Sequence, residues 1–420
     1  MTQKKSTRSP LLTIFLTVFI NLLGVGIVIP VIAPLLLVPT YNMLPADMSP
    51  ETRSIVLGFL IAAFPLAQFF GAPMLGALSD RYGRKKFLAL SIFGTFIGYL
   101  LFAYAIIVHD IYLLFFSRIL DGFTGGNISI AFSAISDLSD EKTKAKNFGM
   151  VGAAFGLGFI LGPYMGGKLA DPNIVSWFNA STPFWFAAGL TALNLVFVFV
   201  SFPETLKEIN NTPVSLFSGI RNISTAFRLK HLRTIFLVVF LLTLGWNFFT
   251  QFFSVFLIHK FEYKDFSQIA DIFAFIGIWI VVAQGGFQRP LTKKYSSLNI
   301  IKVTAILIAI TLPMLLYPTS TQVVYIFYIL PFISVFQGIT QPNLTAVVSN
   351  QVGEKEQGQI LGINQSIQSL GMAIPPVIAG YIHTVNPNLP IIVASICTLI
   401  GWLVLVMFFK NKKEKQSFEK

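Results

Sequence analysis

The chain alternates between long apolar runs and short polar punctuation. A helix needs roughly 20 apolar residues to cross a bilayer core of about 30 Å. Twelve stretches meet that length: 11–37, 54–78, 87–108, 111–137, 147–170, 182–202, 234–258, 266–289, 299–316, 322–349, 357–382 and 388–409. Each predicts a membrane-crossing helix. The first follows Lys4, Lys5 and Arg8 as a signal peptide's core would, but its apolar run is too long for one and lacks a convincing small-residue cleavage site. The longest polar stretch, 203–233, comes after the sixth run, and its few apolar residues predict a surface helix. The expected fold is an all-α integral membrane protein of twelve helices in two pseudo-symmetric six-helix bundles. Its expected parts are 1–202, an interdomain loop 203–233, a second half 234–409 and a charged tail 410–420.

Composition agrees with that pattern. Only 11% of the residues are charged and 54% are hydrophobic, against roughly 25% charged in a soluble domain. A soluble globule could not cover its surface on so few charges. The net charge of +12 leaves a nucleic-acid binder open until the basic residues are placed. Of the 30 Lys and Arg, 25 fall in alternate segments beginning with the N-terminus. The opposite loops hold Arg53, Lys168, Lys260 and Lys264, and Arg118 lies inside a run. This asymmetry places both termini in the cytoplasm, in a plasma (inner) membrane. The positive charge is topogenic, so no nucleic-acid partner is expected, although the basic tail suits anionic lipid. The lone Cys397 excludes an intrachain disulfide and a Cys-based metal cluster, and reads as a small buried hydrophobe. No HExxH, GxSxG or GxxxxGK[ST] string occurs, so neither an enzyme nor an ATP-driven machine is expected, and no metal or cofactor.

Three strings stand out. GALSDRYGRKK (76–86) joins the second and third runs, with Asp80 just ahead of a cationic cluster at the membrane face. RILDGFTGG (118–126) places Arg118 and Asp121 inside the fourth run. GAAFGLGFILGPYMGG (152–167) repeats GxxxG steps, so one helix face is nearly bare backbone, suited to close packing in a bilayer. The small residues Ala270, Ala274 and Gly277 of the eighth run offer a partner face. The segment PPVIAG (375–380) echoes GPYMGG (162–167), an internal repeat of the kind on which many secondary transporters are built.

These strings resemble motifs A, B and C of the major facilitator superfamily. With the proline-bearing opening Gly24–Pro30 and Pro34, the chain looks like its drug:proton antiporter and tetracycline-efflux branch. The resemblance implies a cytoplasmic charge relay of Asp80, Arg81, Gly83, Arg84 and Asp137 that latches the two halves. It also implies a periplasmic gate at Gly158, Gly162, Pro163, Gly166 and Gly167. Two departures matter. Asp121 stands where the motif commonly has Gln, and Asn21 stands where tetracycline exporters carry a membrane acid. Asn cannot titrate, so any proton coupling moves elsewhere, and Asp121 is the expected place.

Arg118 and Asp121 lie roughly 12 and 16 Å into their span and, three apart, share a helix face. Intramembrane ionisable residues are functional candidates by default. The expected role is proton exchange at Asp121 with Arg118 setting its affinity; a structural ion pair is the competing reading. Asp271, near the outer end of the eighth run, is a weaker alternative. Neutral polar residues recur at similar depth: Asn21, Trp246, Asn247, Gln251, Gln337, Gln341, Asn364, Gln365 and Gln368. Pairs four apart give three helices a polar stripe. Together they predict a substrate cavity for a mainly apolar, neutral or cationic organic molecule. The expected protein is a monomeric proton-coupled exporter whose partners are that small molecule, protons and membrane lipid. The alternative is an uncoupled facilitator or an importer.

Overall fold

The computed structural model describes residues 8–139, 144–206, 215, 217–229, 232–352 and 357–409. Lys4, Lys5, Lys142, Lys207, Lys230, Lys355 and the tail 410–420 lie outside the described residues. Among the described residues the regular structure is helical throughout. The elements are α1 (Arg8–Leu37), α2 (Pro50–Tyr82), α3 (Arg84–Ile107), α4 (Ile111–Thr124), α5 (Asn127–Leu138), α6 (Lys144–Ala170), α7 (Thr182–Ser201), α8 (Ser218–Arg228), α9 (Arg233–Phe261), α10 (Phe266–Val282), α11 (Gln288–Lys294), α12 (Ser297–Thr311), α13 (Val324–Ser349), α14 (Gln357–Val385) and α15 (Leu389–Phe408). Among the described residues, nine apolar helices are long enough to cross a membrane, the α10–α11 run counting as one. The remaining expected spans are helical too, as α4 with α5, α6, and α14, and the surface helix expected between the sixth and seventh spans is α8.

The fourth and eighth spans differ from the uninterrupted helices expected. α4 ends at Thr124 and α5 begins at Asn127. The freed carbonyls find side chains: Gln68 Nε2 donates to Gly125 O at 3.1 Å, and Ser91 Oγ donates to Thr124 O. The break follows from glycine, which stiffens a helix least and permits close approach. A Cβ at Gly122 would lie 2.2 Å from Phe64 O, and one at Gly126 2.5 Å from Ala72 Cα, so α2 lies backbone to backbone on this span. In the eighth span a π-turn, Ala283–Phe287, links α10 to α11.

Two compact units result. Unit 1 comprises 1–48, 63–218 and 264–274; unit 2 comprises 49–62, 219–263 and 275–420. The first turns of α2 thus pack within unit 2, where a Cβ on Gly58 would lie 2.4 Å from Pro376 O of α14. The first turns of α10 pack within unit 1. Each unit has its own apolar core. In unit 1, Ile14, Val18, Leu88, Ile92, Ile130 and Val198 meet; in unit 2, Ile235, Val239, Ile301, Leu344, Ile363 and Leu405 do.

Candidate functional site

At the junction of α2 and α3, Gly83 has φ +111°, a conformation that only glycine adopts at low cost. It ends α2 and lets the chain turn directly into α3. A Cβ there would also lie 2.6 Å from Glu204 Oε2. Glu204, just beyond α7, caps α3: its carboxylate accepts from Arg84 N at 2.9 Å and Lys85 N at 3.2 Å. A carboxylate suits a helix N-terminus because free N–H groups and the helix dipole both favour negative charge there. Arg84 is buried, and its guanidinium pairs with Asp80 and, through Nε at 3.1 Å, with Asp137 of α5. It also donates to Ser79 Oγ at 2.9 Å. Arg81, expected in the same cluster, is exposed and lies 5.2 Å over the Tyr82 ring. Sequence reading missed Glu204, which is 120 residues from Arg84 along the chain and carries no motif of its own.

Deeper in the same unit, Arg118 and Asp121 pair at 3.3 Å, with side chains 6% and 4% exposed. Asp110 starts α4 by accepting from Tyr112 N and Leu113 N at 2.8 and 3.1 Å, so both charges ride on a properly capped helix. The Phe64 ring lies 4.5 Å from the guanidinium carbon and Phe102 lies 5.9 Å away. Gly98 makes room for the acid, since a Cβ there would come within 2.9 Å of Asp121 Cβ. Fully buried Tyr99 lies close enough to interact electrostatically with both charges. Asp121 Oδ1 and Arg118 Nε make no close hydrogen bond, and the Thr95 hydroxyl lies beside the carboxylate. A buried charge pair inside a membrane helix is costly, which makes it a candidate for function.

The glycine face of α6 meets a different partner from the one expected. A Cβ at Gly162 would lie 2.7 Å from Leu23 O and 2.8 Å from Gly26 Cα; at Gly166, 2.4 Å from Ile27 O; at Gly158, 2.7 Å from Leu22 Cβ. The stripe therefore packs on α1, with Gly26 as the reciprocal gap against Pro163. Of Gly158, Gly162, Gly166 and Gly167, it is Gly167, one position round the helix, that meets α10, at Ala270 and Phe266. Beside it Lys168 Nζ pairs with Asp271 at 2.9 Å and donates to Ser267 Oγ at 2.6 Å. Asp271 thus has a cationic partner that sequence reading did not assign. Tyr41, after α1, packs against Phe266 with ring centroids 4.8 Å apart and planes tilted by 41°, and burial, then Asp265 and Asp171, hold its phenol above the usual range.

A profile of the Major Facilitator Superfamily matches residues 14–376 and 332–420. The chain belongs to that superfamily. Tetracycline resistance protein, class H, from Pasteurella multocida is 28% identical over 387 residues, covering 89% of each chain. Multidrug resistance protein 2 from Bacillus subtilis (strain 168) is 29% identical over 406 residues, covering 94% of each. Among solved structures, the human organic anion transporter MFSD10 (TETRAN) superposes with a TM-score of 0.74 at 22% identity, covering 96% of this chain and all of that one, a likeness of fold.

In this Major Facilitator Superfamily transporter the amides expected to share a cavity have distinct surroundings. Gln251 Nε2 donates to Asn247 Oδ1 at 2.8 Å and to Met372 O of α14 at 3.1 Å, tying two helices of unit 2. Trp246 is half-buried and 5.5 Å from Phe249. Gln337, Gln365 and Gln368 are half-buried, whereas Gln341 is exposed. Asn364 is buried with Oδ1 unpartnered; Asn21, in unit 1, is buried with Nδ2 unpartnered. Cys397 is half-buried rather than enclosed.

Proposed function

We propose that this transporter exports small, mainly apolar, neutral or cationic organic molecules in exchange for protons, by alternating access of its two six-helix halves. One observation carries the reading: among the described residues, Asp121 is the one carboxylate buried within a helix, where it pairs with Arg118. In low dielectric such a pair changes strength sharply with protonation. Protonation releases Arg118 and favours one state; substrate binding favours the ionised one. Relatives named for tetracycline and multidrug resistance support organic substrates and the outward direction. The Asp80–Arg84–Asp137 cluster serves as the inner latch. The contact of Gly167 and Lys168 with the start of α10 serves as the outer gate, in a plasma membrane with both termini inside.

The test uses inverted vesicles with a preformed proton gradient and two probes, tetracycline and the aromatic cation ethidium. Adding a transported probe should release protons, and Asp121→Asn should abolish that release while probe binding persists. Because the variant leaves Arg118 without its counter-charge, its thermal stability is measured alongside. Unchanged coupling in a stable variant would remove Asp121 from the mechanism. A second reading, uncoupled facilitation, draws on Asn21, an amide that cannot carry a proton; it predicts probe movement indifferent to the gradient.

A further inference from the structure

Helix α8 has no part in the transport reading, yet its surface is specific. Ile223, Ala226 and, just after the helix, Leu229 pack onto the unit 2 core around Leu232, Ile235 and Phe236. Asn222 Nδ2 donates to Ser366 Oγ of α14 at 3.0 Å, pinning the helix in place. Two large apolar side chains remain outside: Ile220 is 51% and Phe227 64% exposed. They are seven apart and so share one edge. Arg221 and Arg228, also seven apart and exposed, follow one residue later and lie about 100° further round. Exposed Arg233 opens α9, and from Ser218 to Arg233 the sequence holds no Asp or Glu.

A helix facing water gains nothing from an exposed Ile and Phe on one edge. A helix submerged in acyl chains would not carry arginines on the next. The combination suits a helix lying in the membrane interface, its apolar edge at the acyl boundary and its cations at the headgroups. In the chain α8 lies between the membrane spans α7 and α9. Guanidinium also matches phosphate geometry with paired hydrogen bonds.

We propose that α8 is a binding surface for anionic phospholipid, with Ile220 and Phe227 inserted at the acyl boundary and Arg221, Arg228 and Arg233 on the lipid phosphates. The inference rests on the membrane placement that the superfamily shows, and on neither proton coupling nor transport direction, so it stands or falls separately from them.

The test places full-length Phe227→Trp protein in nanodiscs of brominated phosphatidylglycerol or brominated phosphatidylcholine. The unsubstituted protein serves as the background for the native tryptophans. The added emission should be quenched in both, and about twofold or more strongly by the anionic lipid. Arg221→Gln with Arg228→Gln should lower that ratio toward one, Arg233 remaining, while its melting temperature in phosphatidylcholine equals the parent's. Three outcomes would overturn the proposal: no added quenching in either lipid, as for a helix in water; protection that depends on protein concentration, as for a second copy on this face; or a ratio unchanged in the double variant.

Discussion

Gly162 and Gly189 are both glycines in membrane helices, but they do different work. A Cβ on Gly162 meets backbone atoms of α1 at 2.7 and 2.8 Å, whereas nothing lies within 4 Å of one on Gly189. Backbone cannot rotate away as a side chain can, so Gly162→Ala must separate α1 from α6. It is expected to cost about 1–3 kcal/mol, the usual range for overpacking. Gly189→Ala should be neutral or slightly stabilising, because alanine favours helix by about 1 kcal/mol. Thermal unfolding of the purified variants checks both, and a similar melting temperature for the two would contradict the packing argument. The GxxxG spacing that marks Gly162 as a packing residue is visible in the sequence. That its partner is α1 is not, since Ala270, Ala274 and Gly277 offer a small-residue face of the same kind.

At the scale of elements, the fourth span shows how a local weakness is held by its neighbours. Two consecutive glycines weaken the helix at 125–126, and the carbonyls released there accept from Gln68 and Ser91 on two other helices. A buried carbonyl without a donor costs about 1–3 kcal/mol. Gln68→Leu is therefore expected to destabilise unit 1 by that amount, because leucine offers no N–H. Thermal unfolding reads out the loss. If Gln68→Leu melts with the parent, another group satisfies Gly125. The break directly follows the turn that carries Asp121, so the side chains that hold it also fix where the buried acid sits. The glycine pair is legible in the sequence; Gln68, 57 residues away, gives no signal there.

For the whole molecule, the proposed outer gate opens when the first turns of α10 leave α6. The Lys168–Asp271 pair spans that contact, with side chains 26% and 54% exposed. A pair so exposed contributes at most about 1 kcal/mol, small for global stability but about fivefold in an opening equilibrium. With Cys397 replaced by Ser, a cysteine at buried Ala274 reports opening to an impermeant maleimide. Lys168→Ala should speed its labelling by up to about fivefold, and exchanging the two charges, Lys168→Asp with Asp271→Lys, should restore the parent rate. Failure of the exchanged pair to restore it would mean that the contact is held by Gly167 and Phe266 packing alone.

Where the membrane helices lie is legible from residue order alone. Apolar length against a fixed bilayer thickness is a one-dimensional constraint, and each span meets it without reference to the others. Residue order also marks Asp80, Arg84, Arg118 and Asp121, because charge at or inside an apolar run is conspicuous. Which groups meet emerges from the packed helices. Packing brought Glu204 to the end of α3, set the glycine stripe of α6 on α1, gave Asp271 to Lys168 and divided α4 from α5. Those outcomes depend on contacts between helices distant in the chain, and in a bilayer, where every helix surface is similarly apolar, packing shape and a few polar groups choose the partner.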